Sequence, residues 1–562
     1  MDFFTEIVKL IDLKDITKEE IAQTLVVSAD TSKGDFCLPC FRFAKKLRQA
    51  PQQIADSLRD SIKKPDYVKD IQSVAGYLNF YIDRDVFARQ ILDEALSDPD
   101  NYGSSSAGKG KTIVIDYSSV NIAKPLHIGH LSSTAIGSAL CKIFRKLGYK
   151  VVGVNHLGDW GTQFGKLISA YKRWGNDEDI KNRKLRALVD LYVRFHKEAE
   201  ENPELDDEGR AWFKKIENGD AEALEIFDKF KEITLSEVDK IYKRLGVTFD
   251  SYAGESFYID KMQPVIDKLE EKKLLSDSEG AKVVNLDEFG LPPCLILKSD
   301  GTSIYATRDL AAAFYRKNTY DFYKCLYVVA YQQNLHFQQI FKVLELMGCS
   351  WAKDMEHIAF GMVSLESGSI KTRKGNFIFL EDVLDEAVNR TREIIRSKGT
   401  KLDNEDEVAE SIGVGAVVFS AVSNSRIKDI VFSYDKILSF EGESGPYLQY
   451  TFARTNSVLK KGEISDYKAD YSLLTDETGY SLIKTVGRFP SVIMDSAERR
   501  EPYILTRYLI DLAQEFNKFY IDNKILSEDK ELTKARLALT KAVSCVIKNG
   551  LELLGIKAPE KM

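Results

Sequence analysis

The stretch that most constrains this chain is residues 111–160, KTIVIDYSSVNIAKPLHIGHLSSTAIGSALCKIFRKLGYKVVGVNHLGDW. It opens with the β-branched run Thr112-Ile113-Val114-Ile115, which suits a buried parallel strand. A polar loop, Ser118-Ser119-Val120-Asn121, follows, and Pro125 precedes His127-Ile128-Gly129-His130. Apolar residues then recur at helical spacing at Leu131, Ile136, Leu140, Ile143 and Leu147, and Gly148 stands where a left-handed helix cap belongs. Val151-Val152-Gly153-Val154 reads as a second strand. The segment is one strand–helix–strand unit with a polar motif at the start of its helix.

A helix start is where an anion belongs. Its first N–H groups lack partners and the macrodipole is positive there. Two histidines three residues apart add donors for phosphate oxygens, and Gly129 between them leaves backbone free for a flat base. The chain has only six histidines, so two within four residues argue against an incidental surface pair.

At 562 residues the chain has room for three or four domains. A hydrophobic fraction of 44% fills several cores, and a net charge of -7 excludes a general polyanion binder. A nucleic-acid partner would need basic residues gathered locally. Apolar runs fall short of a membrane span, and the acidic start MDFFTEIVKLIDLKD is unlike a secretory signal. Seven cysteines, an odd number and mostly scattered, suit a reducing cytoplasm. Cys37 and Cys40 form a lone CxxC without a second pair for zinc or a thioredoxin-like setting, and read as packing.

HIGH in this setting resembles the nucleotide signature of class I aminoacyl-tRNA synthetases. The wider string SSVNIAKPLHIGH, with NHLGDWGTQFGK after it, resembles the arginyl-tRNA synthetases. The resemblance implies a multidomain α/β protein with a Rossmann-like parallel-sheet catalytic core and a helical insertion. To these it adds an α+β N-terminal domain and an all-α C-terminal anticodon-binding domain. The expected divisions are residues 1–107, 108–432 and 433–562, with the insertion at about 170–260.

In the first domain, residues 41–64 are basic and amphipathic, and Ser73–Ile82 alternates like one strand. Period two puts Tyr77, Asn79 and Tyr81 on one face, which could stack and read an unpaired base. The resemblance makes Tyr77 and Asn79 contacts for the tRNA elbow. Ser104–Gly110 is a linker, and the charge-rich stretch after Lys166 reads as three or four amphipathic helices. Tyr305 to Tyr315, YATRDLAAAFY, reads as a helix beginning at Asp309 with Thr307 as its cap. If helical geometry reaches back to Tyr305, Tyr305 and Asp309 share a face.

The resemblance assigns roles to several site residues. Ser119, Val120, Asn121, His130, Tyr305, Asp309 and Gln333 are its arginine side, although Val120 stands where the family usually has proline. His127, Gly129, His130, Gly361 and Val363 are its ATP side. Ser369-Ile370-Lys371-Thr372-Arg373-Lys374-Gly375 looks like the KMSKS loop without its first lysine. Its cations Lys371, Arg373 and Lys374 would act on the triphosphate, and Lys124 would supply the missing charge. Tyr447, Gln449 and Arg454, in PYLQYTFAR, and Arg536 are its further tRNA contacts.

The implied reaction joins L-arginine to ATP as arginyl-adenylate and then to the 3′ end of tRNA. Mg²⁺ would enter with ATP, with no tightly bound metal or organic cofactor, in a cytoplasmic monomer. A guanidinium calls for a planar carboxylate acceptor, which Asp309 offers. A cysteinyl-type enzyme would need a zinc cluster, and a glutamyl-type pocket a cation. A small HxGH nucleotidyltransferase would not need this length.

Overall fold

The computed structural model describes residues 3–28, 33–299, 305–365, 378–399, 402–464 and 466–562. These form two compact units, one of residues 1–102, 458–488 and 514–546, the other of residues 103–457, 489–513 and 547–562.

The first unit contains an antiparallel sheet in the order Val26–Val27, Phe36–Pro39, Tyr77–Ile82, Val68–Val74. The single strand expected over Ser73–Ile82 is instead a hairpin. Ala75 and Gly76, with φ of 50° and 81°, make its turn, the two positive values that a tight hairpin of this twist needs. Asn79 lies on a strand paired on both sides, opposite Cys37 and Gln72. The helices Phe3–Leu10, Lys18–Thr24 and Pro51–Ser61 pack Phe3, Ile7, Ile21, Ile54 and Leu58 against the sheet residues Leu38, Leu78 and Phe80. The buried Asp35 accepts from the Ile82 N–H at 2.9 Å and from the Tyr480 hydroxyl at 3.0 Å. Burial raises the pKa of Cys37 and pushes the Cys40 thiol up to about 12, as packing thiols should behave.

The second unit is built on a parallel sheet in the order Met355–His357, Lys324–Tyr327, Thr112–Asp116, Lys150–Val154. The chain runs from Thr112–Asp116 to Lys150–Val154 on one side and later adds Lys324–Tyr327 on the other. That reversal is a topological switch point, where a doubly wound sheet opens a crevice beyond the carboxyl ends of its strands. Between the first two strands lies the helix Leu131–Lys146. Its small residues let it approach closely: a Cβ on Gly137 would lie 2.3 Å from the side chain of Tyr117.

The insertion comprises five helices, Thr162–Trp174, Asp177–Arg183, Leu185–Glu201, Glu204–Glu217 and Ala221–Leu245. Leu275–Ser278, Ala281–Val284 and Cys294–Leu297 form a separate antiparallel sheet. Val363–Leu365 pairs with Ile430–Phe432, and the helices Leu380–Ser397 and Glu405–Val422 lie on either side of residues 400–401 in the sequence.

Candidate active site

The loop leaving strand Thr112–Asp116 takes a constrained path. Ser118, Ser119 and Ala123 have φ of 71°, 49° and 59°, and such left-handed residues cost about 1–2 kcal/mol each. Hydrogen bonds hold the shape. The Ser118 N–H donates to Ser133 Oγ at 2.8 Å, and its hydroxyl lies 2.7 Å from the Tyr242 hydroxyl. The Gly158 N–H donates to the Val120 carbonyl at 2.9 Å. A Cβ on Gly158 would stand 2.2 Å from Asn121 Oδ1, so the NHLGDW motif needs glycine for this approach. Val120 is buried, and its backbone, not its side chain, shapes the loop.

Ile128–His130 is a short 3₁₀ turn running into the helix Leu131–Lys146. His127 Nδ1 accepts from the Gly129 N–H at 3.1 Å, and His130 Nδ1 accepts from the His127 N–H at 3.2 Å. A nitrogen that accepts carries no proton, so each neutral ring keeps its proton on Nε2. Burial, with Lys124 adding to it, lowers the His127 pKa to about 4. Burial and then His127 lower that of His130 to about 3. The two rings, 4.1 Å apart between centroids, are a pair of neutral donors. A Cβ on Gly129 would lie 2.8 Å from the His127 ring.

Lys124 sits beside this turn, its ammonium 5.9 Å from the centroid of the Tyr192 ring. Burial alone lowers its pKa, and among the described residues no carboxylate stands within ion-pair reach. A half-buried ammonium without a counter-charge is a place made for an anion.

The other end of the crevice is acidic. Tyr305 and Asp309 lie on the helix Tyr305–Tyr320, so the two do share a face. Thr307 is not its cap: it stands inside the helix and donates its hydroxyl to the Ile296 carbonyl at 2.6 Å. The Asp309 carboxylate is 27% exposed, with Oδ2 2.6 Å from His336 Nε2. Burial works to raise the Asp309 pKa, but the hydrogen bond and charge of His336, with His156 and Arg316 adding to them, outweigh it and the net shift is downward. An ionised carboxylate only accepts, so His336 is the donor. The Tyr305 ring lies 4.9 Å from that of His336.

A chain of polar groups ties this carboxylate to the signature loop. His156 Nε2 lies 4.0 Å from Asp309 Oδ1, and His156 Nδ1 lies 3.4 Å from Arg316 Nη2. Arg316 is 1% exposed and pairs with Asp116 at 2.7 Å. Asp116 in turn accepts from the Ser119 hydroxyl at 2.8 Å. Glu255 adds a third acid, 3.4 Å from Arg308. Burial raises its pKa to about 7, with Arg308 opposing and Asp309 and Asp159 adding to the rise.

His127, His130, Gly129, Lys124, Ser119, Val120 and Asn121 thus gather around one loop and turn, and Tyr305 and Asp309 around the acidic end. Gln333 is exposed in the 3₁₀ turn Tyr331–Gln333, directly before the helix Asn334–Leu346 that carries His336. Gly361 donates its N–H to the Arg426 carbonyl at 2.7 Å, and Val363 pairs with Ile430. Lys371, Arg373 and Lys374 lie outside the described residues. The sequence reading missed Asp116, His156, Glu255, Arg316 and His336. Of these, only Asp116 and His156 stood in the quoted stretch of residues 111–160.

The outlying residues divide. Tyr77 is exposed and packs edge-on against Phe41 at 5.0 Å. Asn79 is only 7% exposed, so the solvent-facing trio expected on this strand loses its middle member. Gln449 is 0% exposed and donates to the Ser411 and Lys557 carbonyls at 3.0 and 2.7 Å. It is a core residue, and no tRNA contact is left for it. Arg536 gives its Nη donors to the Lys524 carbonyl and Asn523 Oδ1, both at 2.9 Å. Tyr447 is half-buried, and the Arg454 guanidinium lies 4.9 Å from the Tyr450 ring.

Comparison with known proteins gives a consistent picture. The family described as "Arginyl tRNA synthetase N terminal domain" matches residues 5–82. "tRNA synthetases class I (R), catalytic domain" matches residues 91–434, and "DALR anticodon binding domain" residues 448–562. The arginine–tRNA ligase of Alkaliphilus metalliredigens is 51% identical, over 100% of both chains. That of Clostridioides difficile is also 51% identical, over 98% of this chain and 97% of its own. The Thermus thermophilus arginyl-tRNA synthetase structure superposes with a TM-score of 0.83 at 27% identity, covering 96% of each chain. The Plasmodium falciparum arginyl-tRNA synthetase superposes with a TM-score of 0.79 at 26% identity, over 96% of this chain and 94% of that one.

Proposed function

The chain belongs to the class I arginyl-tRNA synthetases, and from that membership we propose how its crevice performs the family's reaction. It is an ATP-dependent arginine–tRNA ligase. The α-carboxylate of arginine attacks the α-phosphorus of ATP, the bond to the leaving diphosphate breaks, and arginyl-adenylate forms. The terminal ribose hydroxyl of the tRNA then takes the arginyl group and AMP leaves.

The observation that carries the residue assignment is the Asp309 carboxylate, held ionised by His336 at 2.6 Å. A guanidinium is planar, always charged and bidentate, and a fixed carboxylate is its natural partner. Tyr305 and Gln333 add directional hydrogen bonds, and Asn121 with the Ser119–Val120 backbone lines the α-amino-acid side. His127 and His130 donate from Nε2 to phosphate oxygens, with Gly129 beneath the adenine and Gly361 and Val363 on the ATP side. Being neutral, they stabilise charge that builds on oxygen without binding the substrate's anion too tightly beforehand. Lys124 takes the diphosphate in place of the lysine absent at Ser369, together with Lys371, Arg373 and Lys374. Mg²⁺ enters with ATP as part of the substrate.

On the same reading residues 1–107 contact the tRNA elbow through Tyr77, residues 108–432 hold the chemistry, and residues 433–562 meet the anticodon arm, with Tyr447 and Arg454 as contacts. The seven free cysteines support action in the cytoplasm, where the chain works as a monomer. No helix among the described residues is long and apolar enough to cross a membrane. The test is aminoacylation: purified protein, ATP, Mg²⁺ and unfractionated tRNA should charge arginine into acid-precipitable material. Charging of another amino acid instead, or of none, would contradict the reading.

A further inference from the structure

Among the contacts of the helical insertion with the signature segment, the mechanism above leaves Arg186 unused. Arg186, on the insertion helix Leu185–Glu201, lays its guanidinium carbon 4.2 Å from the centroid of the Phe379 ring. The same guanidinium reaches Asp382 Oδ1 at 2.6 Å and Glu381 Oε2 at 3.5 Å. Both acids stand in the first turn of the helix Leu380–Ser397, whose cap residue is Phe379. Arg186 therefore grips one short segment by a ring face and by two carboxylates.

That segment lies directly on the signature turn. The Leu380 N–H donates to the Leu126 carbonyl at 2.8 Å, and the Ile128 N–H donates to the Ile378 carbonyl at 3.3 Å. Phe379 and His127 themselves form an antiparallel bridge. The ring that Arg186 covers thus belongs to the residue whose backbone faces His127. A second insertion arginine, Arg244, holds the same helix further along, 2.6 Å from Asp385, and also pairs with Glu410 at 2.8 Å.

We propose that Arg186 is a positioning residue for adenylate formation, acting through Phe379 on the backbone of His127. On this account the insertion braces the signature turn from outside the sheet. His127 takes its ring direction from a cap conformation with φ -113° and ψ 168° and from the bond to the Gly129 N–H. A strand that slides by a fraction of an ångström carries that ring, and its Nε2 proton, off the phosphate, and misplacement of this size is costly in rate. Arginine suits the task better than lysine, because a planar guanidinium can cover a ring and meet carboxylates at its edge together.

The proposal rests on the functional reading above, and its test keeps the two apart. ATP–diphosphate exchange is measured with arginine and tRNA present, per active site titrated by adenylate burst, so that misfolded protein does not count. R186A should lower kcat roughly tenfold, R186K by less, and the KM for arginine should stay within about twofold in both. In an H127N background, Arg186→Ala should cost less than about twofold, because the residue through which it acts is already gone. A wild-type kcat in R186A, an effect that falls on arginine KM, or full multiplication of the two losses in the double variant would each overturn the proposal. A wild type that supports no exchange would overturn the functional reading itself.

Discussion

The two ends of the crevice treat their histidines in opposite ways. At the signature turn, His127 and His130 are half-buried beside a lysine and away from carboxylates, and their pKa values fall to about 4 and about 3. At the arginine end, His336 donates to an ionised carboxylate, and His156 lies between Asp309 and the Arg316–Asp116 pair. Burial lowers the His156 pKa too, but Asp116 and Asp309 work against it. The same side chain is a neutral donor toward an anion at one end and a brace for an anion at the other. Neighbouring charge sets the difference, since burial pushes in one direction at both.

The largest effect should come from the cationic end. K124A should lower kcat for adenylate formation by roughly two to three orders of magnitude, about 3–4 kcal/mol, the scale for one preorganised charge stabiliser. Arginine KM should hardly change. Ser369→Lys in that background should restore part of the rate. If the double variant is as slow as the single one, the substitution of one lysine for the other fails.

D309N sharpens the acidic end. Losing one charged partner of a guanidinium should cost roughly a hundredfold in kcat/KM for arginine, with ATP binding intact by equilibrium dialysis. Near-normal arginine kinetics would remove Asp309 from the pocket.

A smaller effect is expected from Glu255, whose carboxyl burial pushes up to about 7. Below that pH it is neutral and adds nothing to cation binding; above it the carboxylate attracts the guanidinium. The KM for arginine should therefore fall a few-fold as pH rises through about 7, and E255Q should flatten the profile. A slope that survives in E255Q would assign it elsewhere.

Much of the scaffold was legible in the sequence because its signals are local. The β-branched run at Thr112, the apolar spacing of Leu131 to Leu147 and the glycine at position 148 each act within one or two turns, and Gly148 does take φ 81°. The signature histidines were legible for the same reason. What the sequence hid depends on partners far along the chain. Asp116 and Arg316 are 200 residues apart, so nothing in either segment marks the buried pair. Asn79 and Gln449 read as accessible polar residues, yet the first is only 7% exposed and the Ser411 and Lys557 carbonyls bind the second. Ser73–Ile82 read as one strand because Ala75-Gly76 does not interrupt the apolar alternation, although its positive φ values fold it into a hairpin.

The central claim is that one crevice sets neutral donors and a bare lysine against a fixed carboxylate, so that it activates a cation-bearing amino acid. Citrulline tests this directly, since its side chain has nearly the shape of arginine's without the charge. ATP–diphosphate exchange by the wild-type protein, with tRNA present, should proceed with arginine. With citrulline at equal concentration it should fall by at least about a hundredfold, the cost of a half-buried carboxylate left without its cation. Exchange with citrulline at a rate near that with arginine would contradict the account.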